Sequence, residues 1–489
     1  MSAQFPAVAD GLFLALLALA LRLFCLGCES LWIDELFSVH WSQLDLPFLL
    51  GEGARTETNP PTYYVFLHGW MTAFGSGEAT VRLFSALASS ATAPVVYSIG
   101  RGVADRTAGL LAGLFFALNP VATSIAQEAR PYALSSLLAG LALAALLRCH
   151  QCAEAPPRRP LAGFVMASVA AGWVHYTALL FVAACFGVTG LRLMATRPFP
   201  PRAAALWCGA AAATAAALAP IVLLAASLSG SNNLVWIEPL SVQAMLGFIL
   251  DLVLALPRTG PFFLPTLAVL ALLALIIAAS WPRLRALGWP FLALALVPCL
   301  YFALLVLVSI VRPILLVRVA TWMVIPLCVV LALAAVVQPS RTRRMVVCLW
   351  PLLVFPAGLA CHHFLFPWKD DWRSAARLIE TDPRCRGPVL VGEFNPLGAL
   401  YYGLYRQRPV LAFLPDPGRR DSAEFRLSQR LMHLPGLDPD AVPGFIASHP
   451  GTAVVVRLGT VGLLPEALRT LVERAPFRPQ VTGLTLVCF

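Results

Sequence analysis

Apolar residues lie along this chain in long blocks, not in the period-2 alternation or narrow helical stripes of a water-soluble domain. Almost wholly hydrophobic stretches of ~17–25 residues recur as far as position 362, each able to cross a ~30 Å hydrocarbon core as a helix. The pattern predicts spans near 10–27, 79–99, 107–121, 131–148, 161–175, 177–193, 203–227, 262–280, 289–310, 318–337 and 344–362, about eleven in all. The first stretch reads as a span, not a cleaved leader. It lacks a basic flank ahead of the apolar run. Fifty-nine per cent hydrophobic residues and only 12% charged ones exclude a soluble domain, where charged residues run near ~25%. The expected fold is an α-helical polytopic membrane domain over 1–365.

The arginines test this layout. Arg101 and Arg106, then Arg148, Arg158 and Arg159, then Arg192, Arg197 and Arg202, then Arg283 and Arg285, then Arg341, Arg343 and Arg344 fall in alternate loops. The positive-inside rule makes those loops cytoplasmic, so the first outer loop and the carboxy terminus face the exterior. Two apolar segments suit the membrane interface better than its core. Residues 60–75 repeat apolar side chains at helical spacing behind Asn59 and two prolines, a favoured helix start. They are short for a span, rich in aromatics and carry His68. Residues 241–256, with Asp251, are read the same way.

Past position 365 the pattern changes. Strand-like runs at 388–393, 409–414, 452–459 and 480–489 alternate with helical patterns at 395–407, 420–434 and 465–476. That alternation predicts a small α/β domain over 366–489. Its charges are near balance, so a nucleic-acid surface is not expected, and it has no glycine-rich phosphate loop.

Acidic residues are unevenly placed. Of thirteen before position 363, seven (Glu29, Asp34, Glu35, Asp45, Glu52, Glu57, Glu78) lie between the first and second spans. A solvated loop accounts for Asp45, Glu52 and Glu57, and helix ends account for Glu29 and Glu78. Asp34–Glu35 differs, because Trp32, Ile33, Leu36 and Phe37 enclose it. Adjacent carboxylates in so apolar a setting carry desolvation and repulsion costs that point to catalysis. Lys369, the chain's one lysine, sits with Asp370, Asp371 and Arg373 just past the last span. It reads either as a juxtamembrane anchor or as a cation reaching a lipid phosphate. Of the twelve cysteines, Cys25 with Cys28 and Cys149 with Cys152 read as helix packing. Cys385 and Cys488, both in the tail, read either as a pair in an oxidising compartment or as separate thiols. His362–His363 beside Cys361 lacks a defined third ligand for zinc.

Four segments together carry a family resemblance: LWIDELFSVHW, NPPTYYVFLHGWMTAFG, NPVATSIAQEARPYAL and WKDDWRSAARLI. In content, order and topological placement the chain resembles the GT-C superfamily of integral-membrane glycosyltransferases. The likeness is to the bacterial branch similar to protein O-mannosyltransferases, lipid A aminoarabinose transferases and lipopolysaccharide-core galacturonosyltransferases. The resemblance implies a sugar donor on a polyprenyl phosphate, used at the outer face of the cytoplasmic membrane, and a glycolipid, glycan or protein acceptor. It implies direct displacement with inversion, with Asp34 as base and Glu35 orienting the site. Arg130 and Arg318, at outer ends of spans against the positive-inside trend, are the expected phosphate ligands, with Lys369; the alternative is that they snorkel to the headgroups. Gln127, Glu128, Tyr132, His175, Tyr63 and His68 are expected around the substrate. Glu128 either pairs with Arg130 or shares a divalent metal with Asp34, and no other cofactor is expected. The competing reading is a lipid-linked-sugar transporter or flippase, but such proteins place ionisable groups at the midplane. Here the acids gather on one surface.

Overall fold

The computed structural model describes residues 5–152, 155–228, 237–254, 263–365, 369–392, 396–406, 408–413 and 436–489. Helix α1 (Phe5–Leu23) is followed by α2 (Ile33–Gln43), the short α3 (Leu46–Leu50) and α4 (Thr62–Phe74). Next come α5 (Glu78–Val103), α6 (Arg106–Leu118), α7 (Pro120–Ala126), α8 (Tyr132–His150), α9 (Arg158–Val174), α10 (Ala178–Ala195) and α11 (Pro201–Ser227). The short α12 (Val242–Leu254) precedes α13 (Phe263–Arg285), α14 (Trp289–Val311), α15 (Val324–Val336) and α16 (Arg341–Ala360). Among the described residues, seven helical stretches are long and apolar enough to cross a membrane, and α6 with α7, bent by 56°, makes an eighth if counted as one span. Helices α1, α9 and α13 stand at the remaining three positions where the hydrophobic pattern predicts a span. The protein is a multi-pass α-helical membrane protein with a small α/β region at its carboxy-terminal end.

The chain divides into two compact units. The first comprises Met1–Leu26, Leu46–Gly75 and Thr80–Leu365. The second comprises Gly27–Asp45, Ser76–Ala79 and Phe366–Phe489.

In the first unit, α6, α8 and α15 form the centre. Their buried positions mix small residues with large apolar ones, and Ala332, Ala334, Ala335, Phe115 and Leu143 have no exposed surface. Without a hydrophobic drive between helices in lipid, such close packing is what holds the bundle. At one end, Arg106 at the start of α6 makes a bidentate pair with Asp10 of α1, at 2.7 and 2.8 Å. At the same end Gln151, past α8, donates to the Gly102 carbonyl at 2.7 Å, and Arg192 of α10 donates to the Cys152 carbonyl at 2.7 Å. The arginine-bearing connections therefore gather where α1 begins.

The bend between α6 and α7 has a local cause. Asn119 is extended, its side chain accepts from the Ala122 amide at 3.0 Å, and Pro120 occupies the first helical position. An asparagine cap followed by proline stops one helix and starts the next. Carbonyls released by the break are met by Arg22 of α1, a wholly buried side chain. Its guanidinium donates to the Phe116 and Ala117 carbonyls at 3.4 and 3.3 Å, to Ala18 at 3.1 Å and to Ser89 Oγ at 2.8 Å.

The second unit holds a six-stranded sheet of order β3-β2-β1-β4-β6-β5. Its strands are β1 (Val389–Gly392), β2 (Val410–Phe413), β3 (Gly436–Leu437), β4 (Ala453–Arg457), β5 (Gln480–Val481) and β6 (Leu484–Cys488). Strands β3, β2, β1 and β4 pair in parallel, and β6 returns antiparallel to β4 and β5. Helices α17 (Trp372–Thr381), α18 (Pro396–Tyr401), α19 (Val442–Ser448) and α20 (Glu466–Glu473) accompany it. Leu390, Val454, Val456 and Val487 of the sheet pack with Val442, Leu468 and Val472. Gly398 is required where it stands, since a Cβ there would lie 2.1 Å from the buried Trp372 ring. Cys385 and Cys488 form a disulfide across a separation of 103 residues. Cys25 and Cys28 are also disulfide-bonded, which corrects their assignment to packing; both lie past the end of α1, outside regular helix. The helix expected over 420–434 lies outside the described residues.

Candidate active site

In the second unit the acidic pair divides its work by helical geometry. Successive residues on a helix point ~100° apart, so Asp34 and Glu35, in the first turn of α2, cannot share a direction. Glu35 is fully buried. Its Oε2 accepts from the Trp32 amide at 3.4 Å and lies 3.4 Å from Lys369 Nζ. Asp34 is half-buried. A carboxylate in the first helical turn is favoured by the exposed amides there, so the local fold alone rationalises Glu35; it leaves Asp34 with the surface-facing position.

Lys369 is expected among the phosphate ligands, yet its side chain is only 3% exposed and its ammonium faces Glu35 at 3.4 Å and Glu29 at 3.9 Å. Buried Glu35 and the partly exposed Glu29 both face its charge. Next to it, Asp370 lies 3.2 Å from Arg457 Nε. Burial pushes the Asp370 carboxyl up, Arg457 opposes the shift, and the charge of Asp34 adds to it. Asp34 therefore stands within electrostatic reach of Asp370. The loop carrying α2 is fastened within the same unit by further bonds. Ser30 Oγ donates to the Asp370 carbonyl at 2.6 Å, and the Leu31 amide donates to Tyr402 Oη at 2.8 Å. Arg373 donates to the Gly27 carbonyl at 3.0 Å and pairs with Glu78, which also accepts from Tyr402.

The first unit holds the remaining site residues. The turn after α7 carries Gln127, Glu128 and Arg130, all buried. Gln127, expected to line the pocket, donates its amide to the Arg22 and Phe24 carbonyls at 3.1 and 2.7 Å, tying the turn to the end of α1. The Glu128 carbonyl accepts from the Arg130 amide at 2.9 Å. The Arg130 guanidinium lies 5.7 Å from the Tyr132 ring centre, a cation–π distance, and Tyr132 lies 5.5 Å from the His175 ring. His175 occupies the turn between α9 and α10. Burial, then the charges of Arg130 and Arg318, hold its imidazole down to about 3, so it is neutral at physiological pH. Thr177 Oγ1 sits 2.8 Å from His175 Nδ1 and 3.0 Å from the Val319 carbonyl. That link brings Arg318, in the 3₁₀ segment Val317–Met323, to the same turn.

Tyr63 and His68, also expected around the substrate, lie on α4. Tyr63 is completely buried, with its ring 5.8 Å from Tyr64 and 6.1 Å from Phe84. His68 lies half-buried further along α4. Among the described residues no group of three His, Cys, Asp or Glu side chains is placed to hold a metal ion.

The sequence reading missed Glu57, which it assigned to solvent. Glu57 is buried. Its Oε1 accepts from Tyr64 Oη at 2.8 Å, Asn59 Nδ2 at 3.0 Å and Thr58 Oγ1 at 3.3 Å. Burial and then the Glu57 charge push the Tyr64 phenol up, while Arg130 opposes; burial and Glu57 likewise raise Tyr176. Glu57, Tyr64, Tyr176 and Arg130 thus share one electrostatic neighbourhood. The signal lay in position: Glu57 stands two residues before the Asn59-Pro60-Pro61 helix start, whose rigid entry fixes it opposite Tyr64.

Comparison with known proteins bears on the same elements. Residues 58–222 match the family model described as dolichyl-phosphate-mannose-protein mannosyltransferase. No curated protein matches the chain. The fold is similar to that of ArnT from Cupriavidus metallidurans. In the apo state the TM-score is 0.61 at 14% identity, covering 100% of this chain and 98% of that one. Bound to undecaprenyl phosphate, ArnT gives a TM-score of 0.57 at 13% identity, covering 97% of each chain. The archaeal oligosaccharyltransferase AglB from Archaeoglobus fulgidus, in complex with an inhibitory peptide and a dolichol-phosphate, gives 0.54 at 13% identity, with 96% of this chain and 72% of that one covered. The family match covers residues 58–222, and the structural likeness runs along nearly the whole chain, so the protein has the fold of these solved membrane structures.

Proposed function

We propose that this protein transfers a sugar from a polyprenyl-phosphate donor to an acceptor hydroxyl at the outer face of the cytoplasmic membrane, with inversion at the anomeric carbon. The observation that carries the reading is the convergence of Arg130 and Arg318 on the buried turn of His175. Two guanidinium groups beside a neutral imidazole and an aromatic ring suit a phosphate that gains charge as the sugar leaves. ArnT and AglB hold undecaprenyl phosphate and dolichol-phosphate in their own structures, which supports the same class of donor here.

In this reading Asp34 accepts the proton of the attacking hydroxyl, and Glu35, fixed by Lys369, holds the first turn of α2 in place. The new bond forms between the acceptor oxygen and the anomeric carbon while the bond to the phosphate oxygen breaks. Glu57, Glu128, Tyr132 and His175 are assigned to the donor side. Residues 1–365 act as the transferase domain and 366–489 as an α/β domain outside the membrane. A disulfide such as Cys385–Cys488 persists in oxidising compartments, which supports an exterior tail. The acceptor is a lipid, glycan or protein hydroxyl.

The test supplies purified protein with a panel of polyprenyl-phosphate sugars and with envelope lipids and proteins as acceptors. Wild type is expected to transfer one of the sugars, and Asp34→Asn to lose at least ~10²-fold in rate, as removal of a general base does. Lipid movement without sugar transfer, unchanged in Asp34→Asn, would replace this reading with a transporter.

A further inference from the structure

Away from the site described above, at the end of the first unit where α1 begins, a cavity of about 760 Å³ opens between α1, α5 and α8. That is within the ~300–1,000 Å³ usual for ligand sites. Its walls are of two kinds. Val8, Gly11, Leu12 and Ala15 of α1 and Pro94 of α5 form an apolar slot. Val8 and Leu12 are largely exposed, at 70% and 58%, so this wall faces lipid. Above the slot stand Arg101 and Arg148 in the last turns of α5 and α8.

The charge balance at this mouth is positive. Asp10, the nearby acid, is committed to Arg106 at 2.7 and 2.8 Å and to Tyr97 Oη at 2.9 Å. Arg101 also acts on Asp10 and Tyr97 electrostatically, but Arg106 holds both carboxylate oxygens. Gln151 bridges the two arginine-bearing helix ends through its bond to the Gly102 carbonyl, which fixes their spacing. The positive-inside rule and the helix dipole explain an arginine at either helix end. They do not explain two arginines at the mouth of one cavity whose remaining wall is an apolar, lipid-facing slot.

We infer that this groove holds one anionic phospholipid, its phosphate between Arg101 and Arg148 and an acyl chain along α1. The arrangement matches basic pockets between transmembrane helices that select anionic headgroups. The occupant is a lipid, not free phosphate, because the slot continues apolar below the cations. The inference is independent of the transfer reaction, and its test does not use activity.

The full-length protein in phosphatidylcholine nanodiscs or detergent is titrated with phosphatidylglycerol and, separately, phosphatidylcholine, and bound lipid is counted by native mass spectrometry. One phosphatidylglycerol is expected to bind about 10- to 30-fold more tightly than phosphatidylcholine, from two interfacial cations. Arg101→Gln with Arg148→Gln removes that preference. Arg197→Gln with Arg202→Gln, charges outside the groove, leaves it intact. Ala15→Trp, which fills the slot and keeps both cations, lowers binding of either lipid. Equal binding of the two lipids by wild type would overturn the inference, as would equal loss in both double variants. So would full displacement of phosphatidylglycerol by millimolar inorganic phosphate, since that marks a phosphate site without a lipid slot.

Discussion

Asp34 and Glu35 are adjacent in sequence and opposite in circumstance, and the difference comes from one helical step. Glu35 and Lys369 form an ion pair with side-chain exposures of 0% and 3%. Breaking such a pair from one side leaves a buried charge and costs about 3–5 kcal/mol, whereas removing both charges is often nearly neutral. Lys369→Met is therefore expected to lower thermal stability markedly, and Lys369→Met with Glu35→Gln to recover most of it. A double variant as unstable as the sum of the singles would show that the pair is not the relevant interaction. Asp370 supplies a pH test. Burial raises its carboxyl above the ordinary ~3.9, so folding favours the protonated form. The resulting stability is present below about pH 4 and is lost as pH rises through the higher folded value. Limited proteolysis of the tail should accelerate over that rise in wild type and show a flatter pH profile in Asp370→Asn. Residue identity made the acidic pair legible, because two carboxylates in an apolar frame have few bland explanations. Glu57 was not legible, because burial depends on how the chain returns to Tyr64, and composition around residues 51–58 resembles any polar loop.

Helices are where the hydrophobic pattern speaks most directly, since a bilayer imposes one length and one polarity on every span. The α4 start at Asn59-Pro60-Pro61 and the four principal strand runs of the tail are likewise read from local chemistry. The 56° break between α6 and α7 is not; the apolar run through 107–121 passes over it, and only the Asn119-Pro120 step hints at it. Its stability rests on Arg22, which no periodicity identifies as a cap for another helix. In a membrane the carbonyls freed at such a break have no water to turn to. Arg22→Met should cost about 2–4 kcal/mol, given ~1.5–3 kcal/mol for hydrogen bonds to a charged group. Arg22→Lys should restore only part of it, because an ammonium cannot reproduce the guanidinium fork. Hydrogen exchange over residues 116–126 should rise in Arg22→Met ahead of global unfolding. Unchanged exchange there would mean that the break is held by Asn119 and packing alone.

At the scale of the whole molecule, the proposed orientation rests on where the arginines lie. The connections bearing Arg101 with Arg106, Arg148 with Arg158, and Arg192 with Arg197 all lie at spans that alternate in direction, and the bonds of Asp10, Gln151 and Arg192 gather them at the end where α1 begins. The other end of the first unit carries Gln127, Arg130 and the His175 turn. The positive-inside rule is the ground for proposing that the arginine end is cytoplasmic and the His175 turn exterior. The same proposal has the tail outside; within the tail the Cys385–Cys488 bond closes a loop of about a hundred residues and is worth about 4–5 kcal/mol in the chain-entropy account. These assignments stand or fall together. Alkaline phosphatase, which is active only where its own disulfides form, should be active when fused after Phe489 and inactive when fused between α8 and α9 or between α13 and α14. The tail should run faster on a non-reducing gel than on a reducing one, and Cys385→Ser should abolish that difference. Active fusions at the arginine loops, or a tail that stays reduced in cells, would reverse the orientation and move the proposed sugar transfer to the opposite face.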